Sequence, residues 1–136
     1  MIAVQLYTIR TQLQDPSRLG PVLQRLREIG YRSVEVAGLG PKTVGRFGEE
    51  LRRAGLGACV AHVALDRLAG DLDSVAAECS EWGCEYVVIP SLPEAYRSEQ
   101  GYLRFAAEAV ELASRLRTSG LQLVYHNHSH VLERFG

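Results

Sequence analysis

Short apolar runs alternate along the chain with longer stretches in which apolar residues recur every three or four positions. The short runs predict β-strands, and the longer stretches predict amphipathic helices. The predicted strands are residues 2–7, 33–37, 57–62, 86–90 and a fifth that begins at Leu121. The predicted helices begin near Pro16, Pro41, Leu72 and Tyr102, and each is followed by a glycine that can end it, namely Gly30, Gly55, Gly83 or Gly120.

This alternation predicts parallel strands joined by helices, because parallel strands need a covering crossover element between them. A complete (β/α)8 TIM barrel takes roughly 250 residues, whereas this chain of 136 residues supplies four strand–helix units and a fifth strand. We therefore predict an α/β fold that is the N-terminal part of such a barrel, with outer helices and one domain over residues 1–136. The expectation at this point is a truncated barrel. An open doubly wound sheet uses the same units, and periodicity does not separate the two.

Composition and charge narrow the class of protein. Apolar residues make up 46% of the chain and the net charge is −1, so no basic surface for nucleic acid or for an anionic membrane is expected. The sequence has neither an apolar run of about 18 residues nor a basic signal-peptide start. Three cysteines without a C-x-x-C spacing suggest small core residues rather than a disulfide framework. These features predict a soluble cytoplasmic protein.

Polar side chains stand where the predicted strands end. The carboxyl ends of the strands form the active-site edge in both α/β architectures, so these side chains should converge in space. The candidates are Gln5, Tyr7 and Arg10 after the first strand, Glu35 on the second, His62 on the third, Pro90 and Ser91 after the fourth, and the cluster His126, Asn127, His128 and His130 after the fifth.

Glu35 and His62 are the candidates for acid–base chemistry. Glu35 lies between two valines in a strand expected to be buried, where a carboxylate needs a partner or solvent. It belongs either to a structural ion pair, with Arg10 as a possible partner, or to a site. His62 is either a rim histidine or a site residue, and its position at a strand end favours the site.

The histidine cluster suggests a metal or proton-transfer site. Neutral imidazole is the commonest metal ligand and titrates near physiological pH. In strand geometry His126 and His128 share one face and Asn127 points to the other. His130 is expected to be a solvated loop residue.

Five segments together resemble the sugar phosphate isomerase/epimerase family, which has a xylose-isomerase-like TIM barrel. They are residues 4–10 (VQLYTIR), 30–38 (GYRSVEVAG), Ala61-His62, 86–90 (YVVIP) and 120–128 (GLQLVYHNH). The segments occur in the family's order and spacing over nearly the whole chain, and the last of them is the most specific.

The resemblance implies a TIM-barrel enzyme that moves a proton next to the carbonyl of a sugar or keto-sugar through an enediolate. It implies a divalent metal (Mn²⁺, Mg²⁺, Co²⁺ or Zn²⁺) to which His126 and His128 would contribute. It also implies Glu35 and His62 as catalytic candidates. The implied substrate-binding residues are Gln5, Tyr7, Arg10, Glu35, His62 and Asn127.

The sequence departs from the family pattern in two ways. Val131 and Leu132 occupy the places where a Glu-Phe pair typically follows the histidines. The resemblance places further Asp, His and Glu ligands on strands six to eight, beyond the five strands predicted here. We therefore expect an incomplete catalytic set. The alternatives are a non-catalytic sugar- or metal-binding half-barrel that forms a homo-oligomer, and the DNA-repair endonuclease-IV-like branch of the superfamily, which the neutral charge disfavours.

Overall fold

The structure, a computed structural model, describes residues 2–132 and 134. Five strands form a single sheet in which every neighbouring pair is parallel and the order is β1-β2-β3-β4-β5. The strands are β1 (Ala3–Gln5), β2 (Ser33–Val36), β3 (Gly57–His62), β4 (Tyr86–Ile89) and β5 (Gln122–Tyr125). The spatial order follows the chain without a reversal, which is the order of a β/α barrel and excludes the doubly wound alternative.

Five α-helices follow or connect the strands. They are α1 (Pro16–Ile29), α2 (Pro41–Ala54), α3 (Leu65–Gly70), α4 (Leu72–Trp82) and α5 (Glu99–Thr118). Three 3₁₀ segments complete the described part of the chain: Leu6–Gln14, Glu94–Tyr96 and Ser129–Leu132. The four predicted helices and five predicted strands are confirmed. The short helix α3 was not predicted, and β1 ends earlier than predicted because the chain turns into a 3₁₀ segment at Leu6.

The residues at the two ends of α1 cap the helix as the sequence pattern predicts. The Asp15 carboxylate accepts a hydrogen bond from the Ser17 backbone N–H at 2.9 Å, which caps the helix N-terminus. Gly30 ends the helix with φ +116°. Within the described residues, no helix combines the length and apolar character needed to cross a bilayer.

The hydrophobic core lies between one face of the sheet and a layer of helices. Consecutive helices pack side by side along this face, α1 on α2, α2 on α4 and α4 on α5. Phe47 of α2 is fully buried and meets Trp82 of α4 edge to face, with ring centroids 5.2 Å apart. Val34 on β2 and Val87 and Ile89 on β4 are fully buried strand residues of this core.

The opposite face of the sheet carries a different set of side chains. The strand register aligns Glu35 with Val60, and aligns His62 with Val88, which in turn pairs with Val124. Because side chains alternate along a strand, these residues point away from the helix layer. The sheet therefore has a helix-packed outer face and an inner face that remains available for a site.

The segments after β1 and β2 are fastened to each other at the carboxyl edge of the sheet. The Gln14 side-chain amide donates to the carbonyls of Gly38, at 2.9 Å, and Arg10, at 3.2 Å. The buried Thr43 hydroxyl donates to the Leu13 carbonyl at 2.8 Å. Gly38 has φ +70°, and a Cβ atom there would lie 2.8 Å from Cβ of Arg10. Glycine at this position is thus required by both backbone conformation and space.

We expect Gly38→Ala to lower the free energy of unfolding by about 1–3 kcal/mol, because alanine is strained at positive φ and would collide with Arg10. Gly45→Ala is the matched control, since Gly45 lies within α2 with open space around it. That change should raise stability by about 0.5–1 kcal/mol. Urea denaturation measures both. Equal effects of the two substitutions would contradict this account of Gly38.

Candidate functional site

A cavity of about 500 Å³ opens at the carboxyl ends of the strands. Its lining residues all come from strand ends or from the loops that directly follow them. They are Gln5, Tyr7, Ala37, Gly38, His62, Ala64, Pro90, Ser91, His126 and His128. This is the edge at which β/α proteins place their active sites. We call this space the mouth cavity.

Three side chains from three adjacent strands form a hydrogen-bonded chain at the mouth cavity. The Gln5 amide nitrogen donates to Oε2 of Glu35 at 3.1 Å, and Oε1 of Glu35 lies 3.0 Å from Nε2 of His62. Gln5 and Glu35 are direct partners in the β1–β2 register, which explains why their side chains meet. The Glu35 and His62 side chains are 29% and 9% exposed, so the pair is largely shielded from solvent. The carboxylate is held through both oxygens.

This contact defines the tautomer of a neutral His62. An ionised carboxylate only accepts hydrogen bonds, so Nε2 of His62 must carry the proton that Glu35 accepts. The lone pair of the neutral ring then lies on Nδ1. Glu35 thus fixes the tautomer and the orientation of the His62 ring, as the carboxylate does in carboxylate–histidine catalytic pairs. The ring itself lines the mouth cavity.

The environment keeps Glu35 ionised. Burial alone would raise the pKa of this carboxyl, but hydrogen bonds from His62 and Gln5 and the nearby imidazoles of His62 and His126 outweigh it. The net result is a pKa below the ordinary value of 4.5. Glu35 is therefore a carboxylate at neutral pH and available to stabilise a positive charge on His62.

The four histidines form a continuous row of rings. The His62 and His126 rings meet edge to face with centroids 5.8 Å apart, and His126 stacks on His128 at 5.0 Å. His128 stacks in turn on His130 at 5.7 Å. Nε2 of His128 donates to the Pro90 carbonyl at 2.8 Å, which ties the loop after β5 to the loop after β4. The row therefore spans the mouth cavity from β3 to the segment after β5.

The structure brings most of the predicted site residues together but not Arg10. Gln5, Tyr7, His62, His126 and His128 line the mouth cavity, and Glu35 lies directly beneath them. The suggested ion pair between Arg10 and Glu35 is wrong, because the Arg10 guanidinium stacks on the Tyr7 ring at 4.1 Å and donates to the Tyr7 carbonyl. Arg10 lies in the 3₁₀ segment after β1, beside Gly38 and Tyr7, and is not among the residues that line the mouth cavity.

Two residues of the histidine segment, Asn127 and His130, do not line the mouth cavity. Asn127 is exposed and is not among the residues that line the mouth cavity. His130 is half-buried rather than solvated, because Tyr102 of α5 packs over it and donates its hydroxyl to the His130 carbonyl at 3.3 Å. No hydrogen-bond partner for Nε2 of His130 occurs among the described residues.

The small residues that line the mouth cavity were not predicted from the sequence, because they carry no chemically active side chain. Ala37, Gly38 and Ala64 form the part of the wall next to Tyr7 and His62. The sequence feature that could have indicated them is the pair of small residues directly after β2. Small side chains there leave room for a ligand that a larger side chain would fill.

A second cavity of about 390 Å³ lies below the mouth, along the inner face of the sheet. Glu35, His62 and His126 form its upper part and the remainder is mainly apolar, with Val60, Tyr86, Val88, Val124 and Tyr125. The dyad of Glu35 and His62 therefore lies at the boundary between a polar mouth and an apolar interior, where charge–charge interactions are stronger than in water.

The described residues do not fit a resident metal ion. Nowhere in the part of the chain that the structure describes do three His, Cys, Asp or Glu side chains stand together as a metal site. The His126 and His128 rings are stacked with an interplanar angle of 26°, so their in-plane lone pairs cannot both be directed at one ion. Both oxygens of Glu35 are already engaged.

Comparison with solved structures identifies the fold as that of a TIM barrel. A sugar phosphate isomerase/epimerase from Parabacteroides distasonis matches 94% of this chain with a TM-score of 0.68 and 22% sequence identity. A xylose isomerase-like TIM barrel protein from Mycobacterium smegmatis, solved in complex with magnesium, matches 91% with a TM-score of 0.65 and 18% identity. The predicted resemblance is thus confirmed at the level of fold.

The chain spans about half the length of these two proteins, 51% of the first and 54% of the second. No protein-family model and no curated protein matches the sequence. A complete barrel of this kind has eight strands, and the described residues form five in consecutive order.

The poor fit to a metal predicts weak binding of divalent ions. Calorimetric titration of the purified chain with Mn²⁺, Mg²⁺, Co²⁺ or Zn²⁺ should give dissociation constants above about 0.1 mM. Any residual heat should fall in a His126→Ala/His128→Ala double variant and persist in His130→Ala. Tight binding of one ion per chain would show that the stacked rings rearrange into a ligand set.

The lowered pKa of Glu35 predicts a specific response to acid. A carboxylate whose pKa is depressed in the folded state stabilises the fold above its unfolded-state pKa of about 4.5. That contribution is lost as the pH falls through the lower folded-state value. The free energy of unfolding should therefore fall less between pH 6 and pH 3 in Glu35→Gln than in the wild type. Glu111→Gln, at an exposed position of α5, should follow the wild type.

Proposed function

We propose that this chain forms the proton-transferring wall of a sugar isomerase or epimerase site in a TIM-barrel framework, with a sugar or keto-sugar as substrate. The observation that carries the proposal is the hydrogen-bonded chain Gln5–Glu35–His62 at the floor of the mouth cavity. Both matched proteins support the class of reaction, since one is a sugar phosphate isomerase/epimerase and the other a xylose isomerase-like TIM barrel protein.

His62 is the proposed base. Its unprotonated Nδ1 would remove the proton on the carbon next to the substrate carbonyl. The electron pair of that C–H bond would form a carbon–carbon double bond, and the carbonyl π electrons would move to the oxygen to give an enediolate. The carboxylate of Glu35 would stabilise the resulting imidazolium, and Gln5 would keep that carboxylate in place. Return of the proton to the neighbouring carbon isomerises the sugar, and return to the opposite face of the same carbon epimerises it.

Neutral donors and acceptors around the mouth suit a polyhydroxylated ligand. The Tyr7 and Ser91 hydroxyls and the rings of His126 and His128 line the same cavity as His62. Such groups bind hydroxyls by mutual hydrogen bonds without a net charge. Tyr7 is 51% exposed, which leaves its ring accessible as the apolar side of a sugar-binding surface.

The described residues provide a base but no strong electrophile for the enediolate oxygen. Electrostatic stabilisation of the developing negative charge is commonly the largest catalytic contribution. For this reason the second candidate function is a sugar-binding domain that binds without net conversion. The two candidate functions differ in whether His62 exchanges a substrate proton with solvent.

We expect slow exchange of the substrate C–H proton next to the carbonyl without measurable net turnover. The measurement is deuterium incorporation into a panel of ketoses in D₂O, followed by NMR. His62→Asn and Glu35→Gln should each abolish exchange, because the first removes the base and the second removes the charge that supports its protonated form. Removing one member of such a pair typically reduces proton transfer by about 10²–10⁴-fold.

His130→Asn is the matched control, since it replaces an imidazole of the same row outside the mouth cavity. It should leave exchange unchanged. If ketoses shift the His62 and His126 ring resonances but no deuterium is incorporated, the sugar-binding function is supported instead. Exchange that is equal in all variants would eliminate His62 as the base.

A further inference from the structure

Two of the three cysteines meet where α4 ends and β4 begins. Gly83 adopts φ +80° after the last turn of α4, and its N–H donates to the Ser80 carbonyl. The next N–H, that of Cys84, donates to the Cys79 carbonyl at 2.9 Å. This pair of bonds is the Schellman motif, in which the residues at the two ends of the outer bond bring their side chains into contact. Here both side chains are thiols.

The backbone geometry places the two cysteines within disulfide range. With standard bond lengths, a 2.9 Å bond from N of Cys84 to O of Cys79 keeps the two Cα atoms within about 6.8 Å of each other. Disulfides span Cα separations of about 4.4–6.8 Å. The Schellman motif directs the Cys79 and Cys84 side chains toward each other at the end of α4. Little backbone movement is therefore needed to join the two sulfurs.

Cys59 differs from this pair. Its thiol donates to the Val34 carbonyl at 3.5 Å on the neighbouring strand. It is half-buried, whereas Cys79 and Cys84 are 1% and 7% exposed. Cys59 thus serves as an internal reference for the reactivity of an unpaired thiol in the same chain.

We propose that Cys79 and Cys84 form an oxidation-sensitive dithiol that peroxide converts to an intrachain disulfide. The two are separated by four residues, so the bond would link the C-terminal turn of α4 to the start of β4. The oxidant must be a small one such as hydrogen peroxide, because both thiols are buried.

The two thiols have different roles. Their interaction lowers the pKa of Cys79 and, together with burial, raises the pKa of Cys84, so Cys79 is the thiol that ionises first. Cys79 loses its proton and the thiolate attacks one peroxide oxygen. The O–O bond breaks, the departing hydroxide takes up that proton to give water, and Cys79 becomes a sulfenic acid. Cys84 sulfur then attacks the Cys79 sulfur and displaces a second water. One peroxide is reduced, two thiols are oxidised and one S–S bond forms.

The sequence around the pair permits a direct mass-spectrometric test. Trypsin yields one peptide, residues 68–97, that contains both Cys79 and Cys84, and another, residues 54–67, that contains Cys59. The purified full chain is treated with hydrogen peroxide under native conditions, alkylated and digested. We expect peptide 68–97 to lose about 2 Da and to resist alkylation until a reductant is added. Peptide 54–67 should remain alkylated at Cys59.

Two variants and a stability measurement complete the test. Cys59→Ala should form the bond like the wild type, whereas Cys84→Ala should not and should instead carry added oxygen on Cys79. The oxidised wild type should melt at a higher temperature than the reduced protein, because the cross-link restricts the unfolded chain. A link between peptides 54–67 and 68–97, a link between two chains, or oxygen addition to peptide 68–97 without the loss of about 2 Da would each overturn the proposal.

Discussion

The packing of the helices against a single face of the sheet determines which side chains of each strand face the core and which face the candidate site. Val34 and Val36 of β2 are buried under the helices. Side chains alternate along a strand, so the same two residues force Glu35, which lies between them, onto the inner face. A shift of β2 by one residue would bury a carboxylate among leucines and expose two valines. The position of the acidic group thus depends on the hydrophobic core.

Once Glu35 is placed on the inner face, the parallel register supplies its partners. Gln5 stands beside it on β1, and His62 lies at the end of β3, on its other side. Desolvation opposes ionisation of the Glu35 carboxylate, whereas two hydrogen bonds and the adjacent imidazoles favour it. The hydrogen bonds and imidazoles outweigh desolvation, so the pKa of Glu35 is lowered. The interaction that stabilises the charge also orients His62. Stability of the sheet and orientation of the His62 ring therefore rest on the same contacts.

The sequence was sufficient to predict the order and kind of nearly all elements, because each strand and helix has its own hydrophobic period and each predicted helix is followed by a glycine. It was also sufficient to predict that Gln5, Glu35, His62 and His126 converge, since strand ends meet at one edge. The pairing of Arg10 could not be predicted, because it depends on a 3₁₀ turn after β1 that has no clear periodicity. The burial of His130 depends on Tyr102, which is 28 residues away in the chain.

The distribution of exposed apolar residues bears on how the site is completed. Ile2 and Ile29 are exposed beside β1, and Val110 and Val124 are exposed beside β5, so both outer strands of the sheet adjoin uncovered apolar surface. Val124, at 41% exposure, also lines the inner cavity that leads up to His62. Any group that covers this face would remove water from the dyad and strengthen the attraction between Glu35 and a protonated His62. Under the proposed function, the first three strands supply the base and its orienting carboxylate, while the electrophile and the exclusion of water must come from groups that face them.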